Sequence, residues 1–203
     1  MSRSLLRRGS LPAAALALAF GGCAVPPAAL RAPAPEAVQI SSAATQPAVN
    51  VLGIPRRFDP PSRSYYVLRS SVPRAGGAVT HQLYVLHSYR GDWEFWDRAA
   101  RQDRGHRSDP LDFISIAREV GGCSGGGCTY TEAFGVAIPD SLLRANPAGY
   151  SVTFYARSGR EATVTLERAQ IGQQLGATDS LRAILAPALV RAAGGAVTPP
   201  PRP

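Results

Sequence analysis

The clearest alternation of apolar and polar positions runs from Tyr150 to Glu167. Tyr150, Val152, Phe154 and Ala156 fall on one side, and Ser151, Thr153, Tyr155 and Arg157 on the other. After the Ser158-Gly159-Arg160 turn, Ala162, Val164 and Leu166 alternate with Thr163, Thr165 and Glu167. Successive strand side chains point to opposite faces, so this period of two predicts a hairpin with one buried face. Strands are also predicted at Tyr65–Arg69 and at Val79–Tyr89, with the breaker cluster Pro73-Arg74-Ala75-Gly76-Gly77 between them.

Leu111 to Pro139 predicts a third pair of strands. Phe113, Ile114, Ile116 and Val120 lie in one arm, and Tyr130, Phe134, Val136 and Ile138 in the other. The loop Ser124-Gly125-Gly126-Gly127 joins them, and its glycines tolerate the positive φ that tight connections need. Beyond it, the stretch 139–144 predicts a short helical turn capped by Asp140 or Ser141. Arg168 to Leu175 predicts a short helix, and Leu181 to Ala193 another that Pro187 would kink or split. Together these elements predict a mainly β fold: one antiparallel β-sandwich-like domain with short peripheral helices.

The chain's first residues add a compartment. Arg3, Arg7 and Arg8 precede the apolar run Leu11–Phe20, which is too short to span a bilayer, and Gly21-Gly22-Cys23 follows. This layout is that of a signal peptide. A cysteine after small residues resembles the bacterial lipobox, which implies lipidation of Cys23 as the first mature residue. Phe20 stands where that motif usually has Leu, and an ordinary signal peptide cut elsewhere is the alternative. Ala24, in place of the aspartate linked to inner-membrane retention, implies the outer membrane facing the periplasm. The expected organisation is then a signal peptide over 1–22, an Ala/Pro-rich tether over 23–61, a β-rich domain over 62–176, and a helical segment with a disordered Pro-rich tail over 177–203. Within the tether, the apolar island Val51–Pro55 is a candidate edge strand.

All 22 basic residues among the 203 are arginine. Leaving out Arg3, Arg7 and Arg8, 19 arginines stand against 14 acidic residues, a net of +5. That balance suits an anionic envelope surface and carries no nucleic-acid signature.

Candidate chemistry is sparse. Cys123 and Cys128 flank the glycine loop; in an oxidising compartment they are expected to form a structural disulfide, with free thiols as the alternative. Pairing them sets a register in which Ala117 opposes Phe134, Ser115 opposes Val136 and Phe113 opposes Ile138. It also sets Glu119 against Glu132, and such like charges need an arginine, a shared proton or a cation between them. Arg98, Arg101, Arg104 and Arg107 recur every three residues, a basic stripe if helical and a solvated loop otherwise. With Trp93 and Trp96 they are candidate binding residues. His81 and His87 share a strand face but stand roughly 20 Å apart, too far to share one metal ion. No G-x-S-x-G, H-E-x-x-H, Walker or G-x-G-x-x-G sequence occurs, and no metal or cofactor is expected.

Tyr89-x3-Trp93, Ala99, Cys123-x4-Cys128-x3-Glu132, Ile138-Pro139 and the strand after Gly149 resemble a pattern in uncharacterised bacterial envelope lipoproteins. The resemblance covers about Leu83 to Leu175. It implies an envelope location and a compact β-rich domain, and it implies no reaction. The function expected is therefore a non-enzymatic binding or structural module. Its partners would be the membrane, through the N-terminal lipid, and an unknown envelope protein or cell-wall polymer. The alternatives are polyanion or anionic-lipid binding by the arginine stripe, and a hydrolase using the glutamate pair with a histidine.

Overall fold

A computed structural model describes residues 37–43, 45–58, 63–102 and 108–194, with side chains up to residue 186. Cys23, the signal peptide, Arg104, His106, Arg107 and the last residues of the tail lie outside the described residues.

Two antiparallel sheets enclose the core, as the alternating segments require. The larger runs in the order β1 (Gln39–Ser41), β2 (Ala48–Leu52), β4 (Tyr65–Pro73), β5 (Thr80–Arg90), β9 (Gly127–Ile138), β8 (Phe113–Ser124), and β3 (Arg56–Arg57) also pairs with β4. The smaller runs β11 (Glu161–Glu167), β10 (Gly149–Ala156), β6 (Trp96–Gln102), β7 (Ser108–Leu111). Two helices complete the fold: α1 (Asp140–Ala145) and α2 (Arg168–Gly194).

Between the sheets, the inward residues of β10 and β11 (Val152, Phe154, Val164 and Leu166) meet Leu68, Leu83, Val85, Phe134 and Val136, all nearly inaccessible to water. Phe134 is the hub. Trp96 stacks on it with ring centroids 5.2 Å apart, and Phe154 meets it edge-on at 5.1 Å. Buried side chains of this size contribute about 1.5–3 kcal/mol each, so this aromatic layer is a main source of sandwich stability.

Four expectations need correction. The tether reading of 23–61 fails over its second half, because β1, β2 and β3 belong to the large sheet and Val51 is fully buried. β2 and β3 run along β4 as one strand broken at Gly53–Pro55. A Cβ on Gly53 would stand 2.7 Å from the Leu68 carbonyl oxygen, so only glycine allows that approach.

The helical region is likewise continuous and not short: α2 runs unbroken from Arg168 to Gly194, across both the expected gap and Pro187. Its residues Ala177, Leu181 and Leu185 cover Val51, Val72 and Val79 in a second apolar cluster, so the folded domain extends past 176. Packing of Ala177 and Leu181 on the large sheet carries the helix across the expected gap.

The segment with arginines every three residues is a strand, neither a helix nor a solvated loop, over Trp96–Gln102. Pairing with β10 and burial of Ala99 and Ala100 override its weak strand propensity. Finally, α1 has Pro139 at its N-cap with no side-chain cap; Asp140 turns instead towards His81 and Arg144.

Candidate functional site

The β4–β5 ladder pairs Ser70 with His81 and, one step past its end, brings Ser64 to His87. Between these polar pairs lie Tyr66 and Leu68 against Val85 and Leu83, which are core residues. The inner face of the two strands is thus apolar in the middle, with a serine–histidine pair at each end.

At the first end, the Ser64 hydroxyl lies 2.9 Å from His87 Nδ1 and accepts the Ser88 N–H at 3.1 Å. His87 is held between the rings of Phe58 and Tyr89 with the edge of Trp96 beside it. Its Nε2 faces Glu94 Oε2 at 3.6 Å, both side chains being buried. The other oxygen of Glu94 accepts from Arg160 Nη1 at 2.6 Å. Burial pushes the Glu94 carboxyl above the ordinary range, and the Arg160 guanidinium offsets this only in part. Among the described residues, Glu94 Oε2 and the Trp96 indole N–H are buried with no hydrogen bond of good geometry, although Trp96 lies close enough to help stabilise the carboxylate.

Glu132 adjoins this group. Its Oε1 accepts from the Tyr89 hydroxyl, from the Glu94 N–H at 3.1 Å and from the Phe95 N–H at 3.0 Å. Its Oε2 accepts from Arg118 Nε at 2.9 Å. Burial raises its pKa, but these donors outweigh burial and hold Glu132 below the usual carboxylate range. The same bonds fix the turn before β6. Phe95 is there the single non-glycine residue at positive φ (55°) among the described residues, a conformation that costs about 1–3 kcal/mol. Its ring projects into solvent while Trp96, next in sequence, is 1% exposed.

Two bulges in β8 bring Arg118 to this site. Gly121 is extra between Val120 and Gly122, so Arg118, not Glu119, stands opposite Glu132. Ile116 is a second extra residue, which returns Ser115 to Phe134 and Phe113 to Val136, on the core face. The expected register is therefore right at the tip and displaced along both arms. Glu119 opposes Thr131 and is exposed, so the proposed Glu119–Glu132 pair does not exist. An arginine does sit at Glu132, reached by a register shift and not by wedging between two acids.

The tip itself is as expected: Cys123 and Cys128 are disulfide-bonded, with Cα atoms 4.0 Å apart. Trp93 is half-buried, its ring edge-on to Tyr130 at 4.6 Å, whereas Trp96 is core and offers no binding surface. Arg98 and Arg101, three apart on a strand, point to opposite faces. Arg98 lies over the Tyr155 ring and Arg101 pairs with Asp109 at 2.5 Å.

At the other end, the Ser70 hydroxyl lies 2.6 Å from His81 Nδ1 and accepts from Gln174 of α2 at 2.7 Å. His81 Nε2 meets Asp140 Oδ1 at 3.0 Å. Asp140 accepts from Arg144, which also binds Asp179 of α2. Burial lowers the His81 pKa despite Asp140, so the imidazole stays neutral and joins Ser70 to α1. Arg144, foremost, pulls Asp140 down to about 2.

Both ends contain serine, histidine and carboxylate in a line, yet Ser64 and Ser70 are buried at 0% and 4% exposure. A nucleophile needs a path to its substrate, and neither hydroxyl has one. No group of three metal-ligating side chains forms among the described residues. A shallow groove of about 650 Å³, lined in part by Arg101, Tyr150 and Arg168, contains no member of either cluster. Sequence reasoning missed Glu94, Ser64 and Ser70. The available signal was spacing: the serines are six apart and so are the histidines, as an antiparallel ladder requires.

No protein-family model, curated protein or solved structure matches this chain. The geometry above therefore carries the functional reading.

Proposed function

We propose that this chain is a lipid-anchored bacterial envelope protein whose β-sandwich is a non-enzymatic binding or structural module. The observation that carries the reading is the state of Glu132. Its two oxygens already accept from four donors, two of them backbone N–H groups, so it is spent on holding a turn. A carboxylate serving as base or nucleophile needs an oxygen open to substrate. The Cys123–Cys128 bond favours an oxidising compartment, in accord with the lipobox-like approach to Cys23.

Neither alternative gains from the geometry. Among the described residues His87 stands opposite Glu132 in the β5–β9 ladder, but its Nε2 is directed at buried Glu94, and the oxygens of Glu132 are taken by other donors. Arg98 and Arg101 share no face that could track a polyanion.

Fractionation of cells producing the wild type or Cys23→Ala tests the anchor. The wild type is expected in the outer membrane and the variant in the soluble periplasm. Equal partition of both into the soluble periplasm would overturn the anchor.

A further inference from the structure

We infer that Ala117–Val120 of β8, with the Phe95 ring beside it, is a docking slot for a short extended segment of a partner polypeptide. That segment would set an apolar residue against Val120, a basic one against Glu119 and an acidic one against Arg118. The inference rests on the module reading above and names the class of its partner.

β8 closes one side of the large sheet, and no described strand pairs with its outer edge. Half the backbone N–H and C=O groups of such an edge face solvent, ready for another strand. Edges of this kind are usually blunted by charged residues, proline, bulges or short length. β8 is twelve residues long and has no lysine or proline; its charges are Arg118 and Glu119 alone. Its two bulges, at Ile116 and Gly121, instead interrupt the ladder on either side of Ala117–Val120. They confine strand addition to that stretch and prevent it from spreading.

The side chains around the stretch are those of an interface. Arg118, Val120 and Tyr130 share the inner face, and there Val120 is 54% and Phe95 40% exposed. Trp93 packs against both Tyr130 and Phe95. Aromatic residues and arginine are enriched at protein interfaces, where rigid rings lose little freedom on binding. Phe95 is rigid for a visible reason: the Glu132 carboxylate holds its N–H and so maintains the strained turn that turns the ring outward. Arg118 lies over that ring at 5.2 Å. Its Nε is bound to Glu132, and its Nη groups make no hydrogen bond among the described residues, leaving donors for a second carboxylate.

A second copy of this chain fits poorly. Two-fold continuation of a sheet preserves its faces, so self-pairing centred on this stretch sets Arg118 or Glu119 against its own twin. Like charges directly opposed are unfavourable. A foreign strand with the complementary charges has no such conflict.

The test titrates the 15N-labelled chain carrying Cys23→Ser, followed by NMR, with the peptide acetyl-Ser-Thr-Ile-Lys-Glu-Thr-Ser-amide. Saturable shifts are expected at the amides of Phe95 and residues 117–120. The charge-swapped peptide, with Glu before Lys, should bind at least about fivefold more weakly. Val120→Asp should weaken the first peptide by at least about fivefold while leaving the rest of the spectrum in place; Phe95→Ala should act alike. No saturable shift at millimolar peptide, or equal affinity for both peptides, would overturn the slot. So would self-association through these amides without peptide, or stronger shifts of the same amides by soluble peptidoglycan fragments. Fractionation reports on the anchor and this titration on the slot, so either can fail alone.

Discussion

At both ends of the inner face of β4 and β5, a serine on or just before one strand meets the Nδ1 of a histidine on the other. A carboxylate stands at each imidazole's Nε2, but the two carboxylates lead to different places. Asp140 opens α1, is partly exposed, and passes through Arg144 to Asp179 of α2. Glu94 is buried, sits beside buried Glu132, and leads to a strained turn with an aromatic ring in solvent. The His81 end is a clasp between sheet and helices; the His87 end is a platform. The same cross-strand pair therefore says little about purpose, and what lies beyond its carboxylate says more.

The largest contrast should come from removing those carboxylates. Glu132→Ala leaves the Phe95 N–H and the Tyr89 O–H without their acceptor and Arg118 without its carboxylate, while the Glu94 N–H keeps the Tyr89 oxygen. It should cost about 3–5 kcal/mol in urea unfolding. Asp140→Ala removes a part-exposed carboxylate from solvated Arg144 and leaves one buried donor, His81 Nε2, unpaired; it should cost about 1–2 kcal/mol. Equal losses would erase the distinction between clasp and platform.

Replacing Cys123 and Cys128 together with Ser should cost about 1–3 kcal/mol, since the closed loop is short. The effect should stay at the platform end: hydrogen exchange is expected to quicken in Val120–Tyr130 and not in α1 or α2. Loss of protection in the helices would show that the hairpin supports the whole domain.

Phe95→Gly runs against the usual direction. Glycine adopts φ near 55° without strain, so the variant should be as stable as the wild type or up to about 1 kcal/mol more stable. It should nevertheless lose the exposed ring and with it peptide binding. A marked fall in melting temperature would mean that the Phe95 side chain is a structural contact and no display.

The smallest effect expected is one of pH, and its sign separates the ends. The folded-state pKa of His81 lies below its ordinary 6.5, so the unfolded chain binds the proton more tightly. Stability should therefore fall as pH drops below about 6.5. Asp140, held at about 2 against 3.8, contributes stability that is present above pH 3.8 and lost as pH falls towards 2. Glu94, pushed upward by burial, acts in the opposite sense and gains in acid. His81→Gln should flatten the urea midpoint between pH 6.5 and 5; an unchanged slope would assign that loss to another group.

The fold was legible where packing and local pattern agree. Alternation over Tyr150–Glu167 predicted β10 and β11 to within a residue, and the glycine loop with its cysteines predicted the hairpin and its bond. It was illegible where pairing partners decide. Trp96–Gln102 contains no β-branched residue and becomes a strand because β10 lies beside it. Of Ala48–Leu52 only the apolar island from Val51 suggested an edge strand, whereas β2 is an interior strand between β1 and β4 with Val51 under α2. The site suffered most from the bulges: the one extra residue Gly121 in β8 replaced Glu119 by Arg118 opposite Glu132. Gly121-Gly122 is a local sign of the first bulge, since glycine inside a strand often marks one, but nothing local announces the second at Ile116.

Those bulges also bear on how the chain's length can change. Within a regular ladder, deleting one residue turns every side chain beyond it to the other face. Deleting Ile116 or Gly121 would instead restore plain two-for-two pairing. Phe113 would stay on the core, Arg118 at Glu132 and the cysteines at the tip. In a hairpin otherwise intolerant of insertion or deletion, these are the two places where a codon can be lost without reassigning inside and outside.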